Sequence, residues 1–234
     1  MNLVLLERDE VCRQRAVVRG RRRDHIAMVH RAQAGKTLRV GIVGGMIGTG
    51  TVVAVDDEAV ELDVELDANP PAPLPCTLVL ALPRPKVLRR ILQASSAFGI
   101  KHVVLMNAFR VEKSYWQTPV LQAETMREEL LSGLEQARDT ILASVAQKRL
   151  FRPFVEDELN ALAAGSRLLV AHPQAAKECP RGVTDPVTLV VGPEGGFVPF
   201  ELDLLARAGA TAVSLGVRPL RVEQALAALL GRLF

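Results

Sequence analysis

Four of the seven residues in "NPPAPLP", residues 69–75, are proline. Proline fixes φ and carries no N–H, so this density ends a helix and is excluded from a central strand. In the chain of 234 residues the run therefore reads as the linker between two units. Their patterning differs. Upstream, "TLRVGIVGG", "GTGTVVAV" and "AVELDVELD" combine β-branched residues, alternation and Gly-rich turns, which predict short strands. "HIAMVHRAQ", between Asp24 and Gly35, predicts one short helix. Residues 1–73 read as a small, mostly β domain.

Downstream, over 74–234, strand and helix signals alternate. "TLVLALP" (77–83), "KHVVLM" (101–106), "RLLVAHP" (167–173), "VTLVVGPEGG" (187–196) and "TAVSLG" (211–216) predict strands. Helices are expected over 85–99, 121–143, 156–165, 199–209 and 221–234. Strands separated by helices argue for a mainly parallel α/β sheet, in which ligands bind beyond the carboxyl ends of the strands.

That rule draws attention to three loops, "AHP" (171–173), "GPEGGF" (192–197) and "SLGVRPLR" (214–221), each following an apolar strand. Gly192, Gly195 and Gly196 let the backbone turn sharply and present bare N–H and C=O groups, as a purine-like ligand requires; an ordinary strand-to-helix turn explains them equally. No GK[ST] follows, and the spacing is not GxGxxG, so neither a P-loop nor a dinucleotide fingerprint is present. Arg218 and Arg221 flank "PL", with Pro219 fixing the backbone between them. Arg221 reads as a surface charge or as the group that holds an anion or developing negative charge, with Glu223 placed to orient it.

Charge is strongly segregated. Residues 1–40 hold ten Lys/Arg against four Asp/Glu, and residues 51–70 hold seven Asp/Glu and no Lys/Arg. "RGRRRDH", residues 19–25, is either a solvated loop or a phosphate-contacting surface. Aromatic residues are only 4%, which argues against base-stacking platforms; Tyr115 and Trp116 stand out as a stacking pair or, equally, as a packing anchor. Cys12, Cys76 and Cys179 are far apart and lack metal-ligand spacing, so no metal is expected and a reduced compartment is. No signal peptide or membrane-spanning run is evident, and a cytoplasmic protein is expected.

"VVGPEGGF" followed by "VSLGVRPLRVEQA" resembles the RsmE family, the ribosomal RNA small subunit methyltransferase E proteins of the SPOUT superfamily. The match lies at Gly192, Pro193, Glu194, Gly195, Gly196, Leu215, Gly216, Arg218, Leu220, Arg221, Glu223 and Ala225; Val222 and Gln224 stand where the family has threonines. His25, Arg31 and Gly35 match the N-terminal pattern. "LEQARD" is similar to a Glu-Gln segment of the long helix, with Asp139 replacing an arginine. Gln93 and Gly99 match a lysine-bearing helix, in which Ala97 replaces a glutamate and Lys86 is one residue out of register.

The resemblance implies a PUA-like β-barrel (1–73) and a SPOUT domain (74–234), a knotted parallel sheet with helices on both faces and a C-terminal trefoil knot. It further implies a homodimer that transfers methyl from S-adenosylmethionine to N3 of a uridine in 16S rRNA or the small subunit. Cofactor contacts are expected at Ala171, His172, Gly192, Pro193, Glu194, Gly195, Gly196, Leu215, Gly216 and Leu220. Arg221, then Arg218, with Glu223 beside them, are the catalytic candidates. Arg19, Arg21, Arg22, Arg23, Arg31, Arg84 and Lys86 are the RNA candidates. The departures motivate two alternatives, a SPOUT methyltransferase for another RNA position and a non-catalytic RNA-binding protein retaining the fold.

Overall fold

The computed structural model describes residues 2–28 and 32–234; Arg31 and the side chains of Arg21 and His25 lie outside the described residues. Two compact units form, Met1–Ala72 with Leu131–Leu142, and Pro73–Leu130 with Ala143–Phe234. The first boundary falls inside the proline run. The segment 131–142, which the sequence reading left in the second domain, packs in the first.

The first unit is one six-stranded sheet, built from β1 (Val4–Leu6), β2 (Val11–Cys12), β3 (Arg15–Arg19), β4 (Thr37–Ile42), β5 (Ile47–Val55) and β6 (Ala59–Ala68). The order is β1-β4-β5-β6-β3-β2, and only β1 and β4 run parallel. It is a curled, open half-barrel. Helix α1 (Gly20–Met28) starts five residues before the expected helix and inserts Ile26 into a core with Val18, Val40, Val60 and Leu62. Strand β1 is buried on both faces. Val4 and Leu6 join that core, and Leu3 and Leu5 face a second one with Ile47 and Leu134, as a period of two dictates. Leu134 comes from the 131–142 segment. Thr140 from the same segment donates through its hydroxyl to the Gly45 carbonyl and accepts from Gly44 N at 2.8 Å.

The second unit holds a parallel sheet of β7 (Cys76–Ala81), β8 (His102–Met106), β9 (Ser144–Lys148), β10 (Arg167–Ala171), β11 (Val187–Val191) and β12 (Thr211–Val213), in the order β12-β10-β11-β7-β8-β9. Every residue of β11, "VTLVV", is buried, which is the continuous apolar run that a central parallel strand requires. The helices are α2 (Pro85–Ala97), α3 (Ala123–Ala137, whose residues from Leu131 onward belong to the first unit), α4 (Phe151–Pro153), α5 (Leu159–Leu162), α6 (Pro199–Arg207) and α7 (Val222–Leu233). A π-helical turn, Phe154–Glu158, joins α4 to α5. Strand β9 was not expected, because "SVAQK" is mostly polar and lies at the sheet edge. With all six strands parallel, every loop at their carboxyl ends lies on one edge.

Candidate functional site

Along that edge the second unit carries a cavity of about 1200 Å³. Its lining joins the ends of β10 (Ala171, His172), β11 (192–197) and β12 (214–216) with 218–223 and the start of α2, Arg84 and Lys86. All the residues expected to hold a cofactor or to act catalytically line this one cavity. Two further cations of the lining, Arg90 and Arg110, carry no signal in the sequence. Six Lys/Arg (84, 86, 90, 110, 218, 221) face three carboxylates (Glu194, Asp203, Glu223), so the mouth attracts anions.

Glu194 has a definite structural task. Its carboxylate accepts the Arg84 backbone N–H at 3.1 Å and lies 3.7 Å from the Arg84 guanidinium. Arg84 is the N-cap residue of α2, and its own side chain makes no cap bond. A carboxylate at a helix N-terminus satisfies an orphan donor and complements the helix dipole. The acid set among the glycines thus ties the β11 loop to α2.

Gly196 sits at φ +71°, and a Cβ built there meets no atom within 4 Å. The constraint is backbone conformation, since an L-residue in the left-handed region loses roughly 1–2 kcal/mol. The space in front of the loop is open.

A fourth loop completes the site. Residues 107–112, after β8, are bonded once to the β11 loop and once to the first turn of α6. The Arg110 guanidinium donates to the Gly195 carbonyl, and Phe109 N donates to Glu201 Oε1 at 2.7 Å. Glu201 Oε2 accepts from Val198 N at 3.0 Å. Glu201 is only 3% exposed, so its charge is compensated by these backbone donors at the start of α6.

Arg221 is exposed and is the N-cap residue of α7, where its backbone N donates to Gln224 Oε1 at 3.4 Å. Gln224 therefore serves the helix start. Glu223, expected beside Arg221, pairs instead with Arg90 at 3.7 Å, because α7 packs against α2. Among the described residues, Arg218, Arg221 and Lys86 take no carboxylate partner.

The N-terminal arginines stand differently. Arg19 is exposed at the end of β3. Arg22 donates to the Leu5 carbonyl at 2.7 Å and pairs with Glu10 at 2.5 Å. Arg23 donates to the Asp56 carbonyl at 2.8 Å and lies 3.3 Å from Asp57. Both guanidinium groups are engaged inside the unit. Arg31 and the Arg21 side chain lie outside the described residues.

A parallel α/β domain with a basic cavity at the carboxyl ends of its strands belongs to the class whose ligand site lies at that edge, here one that draws anions. The family model described as "RNA methyltransferase domain" matches residues 70–233. Ribosomal RNA small subunit methyltransferase E of Treponema pallidum is 31% identical over 97% of this chain and 88% of its own. The protein of the same name from Mycobacterium bovis is 30% identical over 92% and 84%. Two solved structures share the fold at 20% identity. One is a putative methyltransferase of Legionella pneumophila holding the cofactor SAM (TM-score 0.76, 98% of this chain and 94% of that one). The other is ribosomal RNA small subunit methyltransferase E of Neisseria gonorrhoeae bound to S-adenosylmethionine (TM-score 0.74, 98% and 95%). The chain belongs to the RNA methyltransferase family, within its ribosomal RNA small subunit methyltransferase E branch.

Proposed function

We propose that the chain transfers a methyl group from S-adenosylmethionine to N3 of a uridine in 16S rRNA of the small ribosomal subunit. The observation that carries this is the convergence of the three strand-end loops with Arg218 and Arg221 on one basic cavity. Family membership and the names of the relatives support it. The lining fits the cofactor. Leu215 and Leu220 offer apolar surface for a flat ring, and the loop at Gly196 leaves its backbone approachable. Ala171, His172, residues 192–196, Leu215, Gly216 and Leu220 would hold it.

When bound, the cofactor supplies a methyl group already activated by its sulfonium. The work left to the chain is to place N3 in line and to favour loss of its proton. A guanidinium suits the second task, because it stays charged and offers several donors to the negative charge spread over the uracil O2 and O4. Arg221 takes this role, Arg218 supports it, and the N3 proton leaves to solvent. Arg84 and Lys86 contact RNA phosphates. The protein acts in the cytoplasm as a homodimer, and the resemblance to the SPOUT superfamily supports both this assembly and a C-terminal knot. Among the described residues, no helix is long and apolar enough to cross a membrane.

Arg221→Ala tests the assignment. Loss of one preorganised charged donor costs on the order of 3 kcal/mol, or ~100-fold in single-turnover methylation rate. Cofactor and RNA affinities should change little, Arg221→Lys should recover little, and raising the pH should partly rescue the alanine variant. A defect that disappears at saturating RNA and shows no pH rescue would reduce Arg221 to a phosphate anchor.

A further inference from the structure

Aromatic side chains are scarce in this chain, seven Phe, one Tyr and one Trp. Their distribution around the cavity is uneven. Phe197 is buried and packs against Phe151, with ring centroids 6.2 Å apart. Trp116 is also committed. Its Nε1 donates to Asn107 Oδ1 at 2.9 Å, and the Arg149 guanidinium covers its ring at 5.2 Å. Trp116 is thereby a packing anchor. Two other rings are free. Phe109 is 80% exposed and Phe200 is 53% exposed.

The two residues lie at one place along the backbone. Phe109 N is bonded to the carboxylate of Glu201, the residue after Phe200, so both flank the start of α6. Each is the chain neighbour of a cavity-lining residue, Arg110 for Phe109 and Pro199 for Phe200. The backbone beneath them is fixed by Glu201 and by the Arg110 bond to Gly195. Two exposed rings on a pinned backbone, beside a cavity mouth with six Lys/Arg, match what an unpaired nucleic-acid strand needs. It requires flat faces for its bases and cations for its phosphates.

We propose that Phe109 and Phe200 form a stacking platform for unpaired RNA bases next to the nucleotide that enters the cavity, with Arg110 serving the adjoining phosphate. The inference rests on the reading of the chain as an RNA methyltransferase. It assigns the positioning of the RNA strand to the fourth loop, in addition to the three that hold the cofactor. The cations that border the rings complement the phosphates of an RNA strand.

The test uses the full chain and a fluorescently labelled, single-stranded, uridine-containing RNA oligonucleotide, with Phe109→Leu, Phe200→Leu and the double variant. Leucine keeps apolar bulk and removes the flat face. Each substitution should weaken binding about tenfold, and the two together about a hundredfold. S-adenosylmethionine affinity by calorimetry and the molecular mass by light scattering should stay as in the parent. Unchanged RNA affinity in the double variant overturns the platform. So does a fall in molecular mass, which would make the patch a contact between copies of the chain. A parent that binds RNA in this ring-dependent way but takes no S-adenosylmethionine would keep the platform and overturn the methyltransferase reading. A parent that takes S-adenosylmethionine but no single-stranded RNA would overturn the platform alone.

Discussion

Glu201 gives a sharp quantitative test of how the cavity is held together. It is buried, and its two oxygens accept Phe109 N at 2.7 Å and Val198 N at 3.0 Å. Hydrogen bonds to a charged group contribute about 1.5–3 kcal/mol each. Glu201→Ala removes both and also removes a negative charge from the first turn of α6, a further loss of about 0.3–1 kcal/mol. Water entering the space left behind offsets part of this, so the lower end, about 3 kcal/mol, is the expected loss. With an m-value of roughly 2–3 kcal/mol/M, the urea midpoint of the second unit should fall by about 1–1.5 M. The only tryptophan, Trp116, belongs to that unit, so its fluorescence follows the transition. Glu201→Gln keeps one acceptor and turns an NH2 group toward the other N–H, and should lose about half as much. An alanine variant whose midpoint stays within about 0.3 M of the parent would refute the argument. Loosening of the 107–112 loop should accompany the loss and appear as weaker RNA binding.

Two further outcomes are expected. Neutralising Arg84 and Lys86 together should flatten the dependence of log affinity for single-stranded RNA on log salt by about 1.4, at ~0.7 per lost phosphate contact, and an unchanged slope would remove both from the RNA surface. Thiol labelling at pH 8 should find one reactive cysteine in the native chain and three in urea: Cys12 is exposed, whereas burial pushes the Cys76 thiol up to about 12 and raises that of Cys179, and labelling needs the thiolate.

The cavity was legible in the sequence because its parts are strand ends. Apolar runs such as "VTLVV" stop at glycine or polar residues, and a parallel sheet brings such stops to one edge without further information. Arg110 and Arg90 were not legible. "NAFRVE" has no glycine pattern, and its place beside the β11 loop depends on two long-range bonds, to Gly195 and Glu201. Glu194 was visible as a lone carboxylate, but its partner, the Arg84 backbone, lies 110 residues away. The basic run at 19–25 shows the limit of reading charge. Arg22 and Arg23 looked solvated or phosphate-bound, yet Glu10, Asp56 and Asp57 answer them from other strands and turns. Strand β1 escaped notice because both its faces are buried, which removes the alternation that marks a half-buried strand.

The lodging of Leu131–Leu142 in the first unit bears on how the protein is made. Residues 1–72 emerge from the ribosome well before Leu134 and Thr140, the side chains that finish their second core and brace the turn at Gly45. The leading third therefore waits, with Leu3, Leu5 and Ile47 uncovered, for roughly 3–14 s at ordinary elongation speeds, until about seventy more residues have been added. Cutting the gene at the proline run would yield a fragment frozen in that waiting state. A soluble version of the first unit needs the 131–142 segment supplied, either grafted behind residue 72 or co-expressed.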